Sequence, residues 1–247
     1  MKTKTDDQPA VVSPAQWLAA RRELLREEKA LTRERDRLAE KRRALPWVKM
    51  EKTYTFDSAS GPVSLADLFG DRSQLVVQHF MLGPGWEEGC KSCSFMTDHF
   101  NAAAVHLPAR DVSFAAISRA SLAEILAFKE RMGWNVTWVS AQGTDFNFDF
   151  HVSFRPGDFA SGSVCYNYDQ QSFPHDEAPG VSVFARDHAG TVYHTYSTFG
   201  RGVEFIMGTY AILDLVPKGR DEENLEYGMA WLRHHDRYAH PAHAAIG

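Results

Sequence analysis

The chain has 247 residues, of which 44% are apolar, 12% aromatic and 24% charged, and its formal net charge is −5. These values exclude a mostly disordered, collagen-like or polytopic membrane protein, and the length is enough to bury a core without disulfide staples. Three cysteines are too few for a secreted disulfide scaffold, and the negative charge gives no case for nucleic acid as a partner.

The opening MKTKTDDQPAVVS has no apolar run of signal-peptide length, and the longest apolar stretches are strand-sized. No membrane partner is expected, and the expected compartment is the reducing cytoplasm. Ser13-Pro14-Ala15-Gln16 then reads as a helix start: Ser13 caps, Pro14 suits the first turn and Gln16 completes a capping box. The helix is predicted to run to about Leu45, where Pro46 stops it. Residues 21–43 hold ten Lys/Arg against six Asp/Glu, a net of +4, which leaves 17 basic and 26 acidic residues, a net of −9, elsewhere. Trp17, Leu24, Leu31, Leu38 and Leu45 recur every seven residues, but a second apolar position per heptad is missing, so a long zipper is not expected. The stripe predicts an arm, residues 1–46, packed on the body or on the mate of a homodimer.

From Met50 the pattern changes. Tyr54–Asp57 and Gly61–Val63 read as a short strand pair, and Ser64–Phe69 as a helical turn closed by Gly70. Gln74–Leu82 (QLVVQHFML) is nearly continuously apolar, as expected of a strand covered on both faces. A Gly/Pro/Trp loop, 83–89, leads to Cys90-Lys91-Ser92-Cys93 and a helical stretch to about Leu107. Asp111–Ser118 is a second buried strand, and Ser121–Glu124 a capping box opening a helix that ends before Gly133. Val136–Ser140 is a short strand. Residues 142–178 read as a loop-like insertion, within which 145–150 alternate polar and aromatic as a half-buried strand would. Val181–Arg186 and Thr191–Ser197 form a hairpin, followed by helices over 202–216 and 220–238. This order predicts an α/β domain over 47–216, with a parallel core and a late antiparallel edge, then an extension over 217–247.

The cysteine pair carries the chemistry. It sits between a buried strand and a helix N-terminus, where free amides and the helix dipole stabilise a thiolate. Cys90 is the expected nucleophile, and Cys93, one turn on, the thiol that resolves a mixed disulfide. Lys91 supports the thiolate, and Glu87 and Glu88 oppose it. A zinc site needs two further ligands; His79 and His99 are poorly spaced for it, so no metal is expected there. Nor is one expected at His234, His235, His240 and His243. Asp98 is a solvated acid or, if it faces Cys93, a proton acceptor. Cys165 stands alone and reads as a small, half-buried hydrophobe.

GWEEGCKSCSFMTDHF, PGVSVFARDHAGTVYHTYSTFGRG and WLRHHDRY together resemble bacterial thioredoxin-like proteins described as domains of unknown function or as dithiol–disulfide oxidoreductases. The resemblance implies a thioredoxin fold with a peroxiredoxin-like elaboration, no organic cofactor, and thiols or disulfides, of proteins or small molecules, as partners. It also implies a cis-proline facing the cysteines, at Pro179, and a site shaped by Trp86, Lys91 and Ser92. Trp86 departs from the thioredoxin pattern by lying four residues before Cys90. The peroxiredoxin signature is not met: Pro84 is six residues before Cys90, and Glu87 holds the threonine position. A thiol peroxidase, with Arg119 or Arg186 binding the anion, is therefore the second expectation. A binding or scaffold protein that kept the fold is the third.

Overall fold

The run Gln74–Leu82 places its strand at the centre of an eight-stranded sheet, which is why both of its faces are apolar. The structure is a computed structural model and describes residues 9–238. It comprises two compact units, Met1–Pro46 and Trp47–Gly247.

The first unit is the helix α1 (Pro14–Arg43). The Ser13–Gln16 capping box is formed, with the Gln16 side chain returning to the Ser13 amide at 3.0 Å. Trp17, Leu24, Leu31, Leu38 and Leu45 are all exposed.

The second unit follows the predicted alternation. Its early strands are β1 (Val48–Lys49), β2 (Thr55–Ser58), β3 (Gly61–Ser64) and β4 (Gln74–His79). Then come α2 (Lys91–Ala103), β5 (Val112–Ser118), α3 (Leu122–Arg131) and β6 (Thr137–Ser140). The insertion holds α4 (Phe146–Asp149), β7 (Val164–Tyr166) and β8 (Asp169–Gln171); β9 (Gly180–Arg186), β10 (Val192–Phe199) and α5 (Gly208–Leu213) follow. The strand order is β1-β10-β9-β4-β5-β6-β2-β3. β4, β5 and β6 are parallel, while β9 runs antiparallel to β4 and β10 antiparallel to β9. A β–α–β unit flanked on its first strand by an antiparallel hairpin is the thioredoxin topology, here extended at both edges.

One face of the sheet packs Phe114, Ala116 and Trp138 against Met96 and Phe100 of α2, Ile125 and Phe128 of α3, and Tyr210 of α5. The other packs Leu75, Val77, Ile117 and Phe184 against Phe56, Phe69 and Phe146. Phe80, Phe128, Trp134 and Trp138 form an aromatic cluster beside the cysteine loop, with ring centroids 4.5–6.3 Å apart. Among the described residues no helix is long and apolar enough to cross a membrane.

Four expectations are corrected. The insertion is not a plain loop: β7 and β8 form a small sheet, and Val152, Phe154, Val164, Tyr166 and Phe199 build a core of their own. Residues 145–150 are a helical turn rather than a strand, because the rings of Phe146 and Phe150, four apart, meet each other and Phe184. The helix expected over 202–216 is broken at Met207 into a 3-10 stretch, Gly200–Ile206, and α5. There the Thr209 amide donates to His99 Nε2 (3.1 Å), a tertiary partner that replaces a helical one. The segment 220–238 is not a helix. Glu222 gathers Tyr210 OH, Trp231 Nε1 and the Met229 amide at 2.6–3.0 Å, which folds the chain into turns, and only His235–Arg237 form a 3-10 turn. The C-terminal segment packs on the main core through Met229, Trp231 and buried His234, whose ring meets Phe128. His240 and His243 lie outside the described residues, as do residues 1–8.

Candidate active site

Cys90 is the N-cap of α2, a position usually held by a small oxygen-bearing side chain. Two constraints put it there. Its amide donates to the Met81 carbonyl (3.0 Å), tying the loop back to the end of β4. Before it, Gly89 leaves no room for a side chain: a Cβ there would lie 2.6–2.8 Å from the rings of Phe80 and Phe128. The Gly89 carbonyl accepts from Nε2 of buried His234 (2.8 Å), and Glu88 is held by Arg131 and Arg237. The loop is thus fixed by α3 and the C-terminal segment together.

The two thiols differ in environment. Cys90 is partly exposed and Cys93 is 1% exposed. The Cys93 thiol donates to the Cys90 sulfur, and the amides of Cys93 and Ser92 and the Ser92 hydroxyl also favour its anion; together they outweigh burial and lower the Cys90 pKa to about 7 from an ordinary 9.0. Burial pushes the Cys93 thiol well above its ordinary value, and the neighbouring Cys90 anion and the Glu177 carboxylate push the same way. The Met81 amide, 3.5 Å from Cys93 Sγ, opposes them.

The surrounding polar groups are largely ones that sequence reading passed over. Gln78 interrupts the apolar run of β4; its amide donates to the Cys93 carbonyl (3.0 Å) and accepts from Thr97 Oγ1 (2.9 Å). Both side chains are fully buried and anchor the first turn of α2 on β4. Glu177, 1% exposed, pairs with Arg119 Nε (2.6 Å) and Ser153 Oγ (2.7 Å). Burial raises its pKa, while the Arg119 guanidinium and the Ser153 hydroxyl restrain the rise. Polar breaks in apolar segments were the signal for Gln78; nothing local marked Glu177, whose partners are 24 and 58 residues away.

The residues expected to shape the site are placed unevenly. Ser92 acts on Cys90 directly. Lys91 is exposed, and Trp86 packs over Gly83, whose Cβ would lie 2.9 Å from the indole nitrogen. The peptide bond before Pro179 is trans, which corrects the expected cis-proline. The segment is extended and pinned on both sides: the Ala178 amide donates to the Val152 carbonyl (2.8 Å) and Tyr166 OH to the Pro179 carbonyl (2.7 Å). These bonds hold the strand-like path that the trans form, favoured intrinsically, supplies. Asp98 serves neither cysteine; it accepts from Trp134 Nε1 and His235 Nδ1, both at 2.7 Å.

Both arginines of the peroxidase reading are engaged. Arg119 is held by Glu177 and Asp176. Arg186 donates to the Ala66, Gly70 and Arg72 carbonyls, at the end of β9 away from Gly180 and His79. Among the described residues no three His, Cys, Asp or Glu side chains gather as a metal site. His79 bonds Ser182, and His99 bonds Phe95 and Thr209. Cys165 lies in β7 and borders a cavity to which neither Cys90 nor Cys93 contributes.

A family model described as bacterial protein of unknown function, DUF899, matches residues 6–238. No curated protein matches the sequence. Among solved structures, the chain is similar to peroxiredoxin Q of Xanthomonas campestris, at 13% identity and a TM-score of 0.42 over 64% of this chain and 87% of that one. It is similar to the mitochondrial 2-Cys peroxiredoxin of Plasmodium falciparum, at 17% identity and 0.41 over 68% and 93%. It is also similar to the peroxidoxin BcpB of Mycobacterium tuberculosis, at 12% identity and 0.38 over 66% and 96%.

Proposed function

We propose that this chain, which belongs to the bacterial family of unknown function DUF899, is a dithiol–disulfide oxidoreductase in which Cys90 attacks and Cys93 resolves. The observation that carries this reading is the asymmetry of the pair: a partly exposed cysteine with a pKa near 7 at a helix N-terminus, beside a buried thiol held protonated. The Cys90 thiolate attacks one sulfur of a substrate disulfide, forming a mixed disulfide and releasing the other sulfur as a thiolate. Cys93 then attacks the Cys90 sulfur, and its proton passes to the departing sulfur. The substrate disulfide has gained two electrons as two thiols, and the protein holds a Cys90–Cys93 disulfide that an external dithiol must reduce.

Partners on this reading are thiols and disulfides of proteins or small molecules, and turnover needs no organic cofactor. Peroxide reduction is the less supported reading, because both arginines that would bind the anion are already paired. Insulin reduction driven by dithiothreitol tests the proposal. Cys90→Ser abolishes it, Cys93→Ser accumulates a mixed disulfide with insulin, and Cys165→Ser leaves turnover unchanged. Full activity in Cys90→Ser overturns the assignment, and hydrogen peroxide consumption without insulin reduction favours the peroxidase.

A further inference from the structure

A cavity of about 350 Å³, to which neither Cys90 nor Cys93 contributes, opens beside the insertion. Its walls are Tyr54, Phe150, Tyr168 and Phe199, with His194 and Cys165 between them. A dry cavity of about 150 Å³ already accepts benzene, so this volume suits a fused two-ring molecule.

Three features set it apart from an accidental gap. The first is a fixed wall: Asn167 and Tyr168 form the two-residue turn of the β7–β8 hairpin, which calls for the positive φ that both have (52° and 67°). The Tyr168 hydroxyl donates to the Ser197 carbonyl (2.9 Å) and its ring meets Phe199, which holds the turn at the cavity edge.

The second feature is a chain of hydrogen bonds running inward from the wall. His194 Nε2 bonds Ser197 Oγ, Ser197 bonds Ser182 Oγ, and Ser182 bonds His79 Nε2, each at 2.7 Å. His79 is fully buried and its Nδ1 has no partner. The hydrogen-bond chain fixes the orientation of the His194 ring at the cavity wall.

The third is the state of His194. Its Nε2 also lies 3.1 Å from the Tyr196 carbonyl. A carbonyl only accepts, so Nε2 carries the hydrogen. Burial lowers the pKa of the ring, which is therefore neutral near pH 7 and leaves Nδ1 as an acceptor.

We propose that this cavity binds a small two-ring aromatic molecule carrying one N–H or O–H donor, which His194 Nδ1 accepts. Calorimetric titration of the full chain with indole, and with its isostere benzofuran, which lacks the donor, tests this. Indole binds saturably at one site, and benzofuran binds about tenfold more weakly. His194→Phe brings indole down to the benzofuran value, and Cys165→Trp, which fills the cavity, removes both. In the unaltered protein, indole slows maleimide labelling of Cys165 and leaves Cys90 labelling unchanged, a readout independent of whether the variants fold. Absence of saturable indole binding, equal affinity for benzofuran, or no protection of Cys165 overturns the proposal.

Discussion

At the scale of single residues, burial decides which groups titrate and which do not. His79 has its pKa lowered to about 3, first by burial and then by His194. Its folded pKa is below the unfolded value of 6.5, so the unfolded chain takes up the proton first. The stability tied to neutral His79 is complete above the unfolded pKa and is lost as pH falls from there toward 3. Below pH 6 the loss is about 1.4 kcal/mol per pH unit from this one group. Urea unfolding of the unaltered protein and of His79→Gln between pH 6 and pH 4 reads it: the gap between their slopes is that amount. Parallel slopes would mean that His79 is protonated in the folded state. The cysteines part in the same way: the Cys93 thiol first, and then the Cys93 and Ser92 amides, favour the Cys90 anion over the cost of burial, whereas burial keeps Cys93 protonated.

At the scale of elements, the cysteine loop is held by close packing more than by its own sequence. A Cβ at Gly89 meets two aromatic rings that belong to the core. Gly89→Ala should cost about 1–3 kcal/mol by overpacking and should slow Cys90 alkylation by displacing its amide from Met81. A urea midpoint within error of the unaltered protein would show that Phe80 and Phe128 yield freely. This dependence on distant rings also explains what was legible in the sequence. Periodicity and capping located α1, β4, α2, β5, α3 and the β9–β10 hairpin, because those signals are local. The same signals placed Cys90 at a helix start. They failed for 145–150, where alternation suggested a strand and the tertiary contacts of Phe146 and Phe150 with Phe184 made a turn. They failed again for 220–238, where Glu222 organises the chain through side chains rather than backbone. In the site, the pair itself was readable, whereas Gln78, Glu177 and His234 reach it only through long-range contacts.

At the scale of the whole molecule, the arm and the thiol pair raise separate questions. Helix α1 buries none of its residues and carries Trp17, Leu24 and Leu31 exposed on one seven-residue stripe. We propose that a second copy covers this stripe, so that the protein is a homodimer. Light scattering should give twice the chain mass for the full protein and the single mass for a Leu24→Glu, Leu31→Glu double variant; a monomer in both would refute the dimer. The thiol account stands or falls on one profile. The protein is reduced, treated with iodoacetamide at pH values from 5 to 10, and each cysteine-containing peptide is quantified by mass spectrometry. The account predicts that Cys90 reacts first, with a rate rising through a midpoint near pH 7, while Cys93 stays slow across the range. Faster labelling of Cys93, or a Cys90 midpoint at or above the ordinary 9.0, would contradict it.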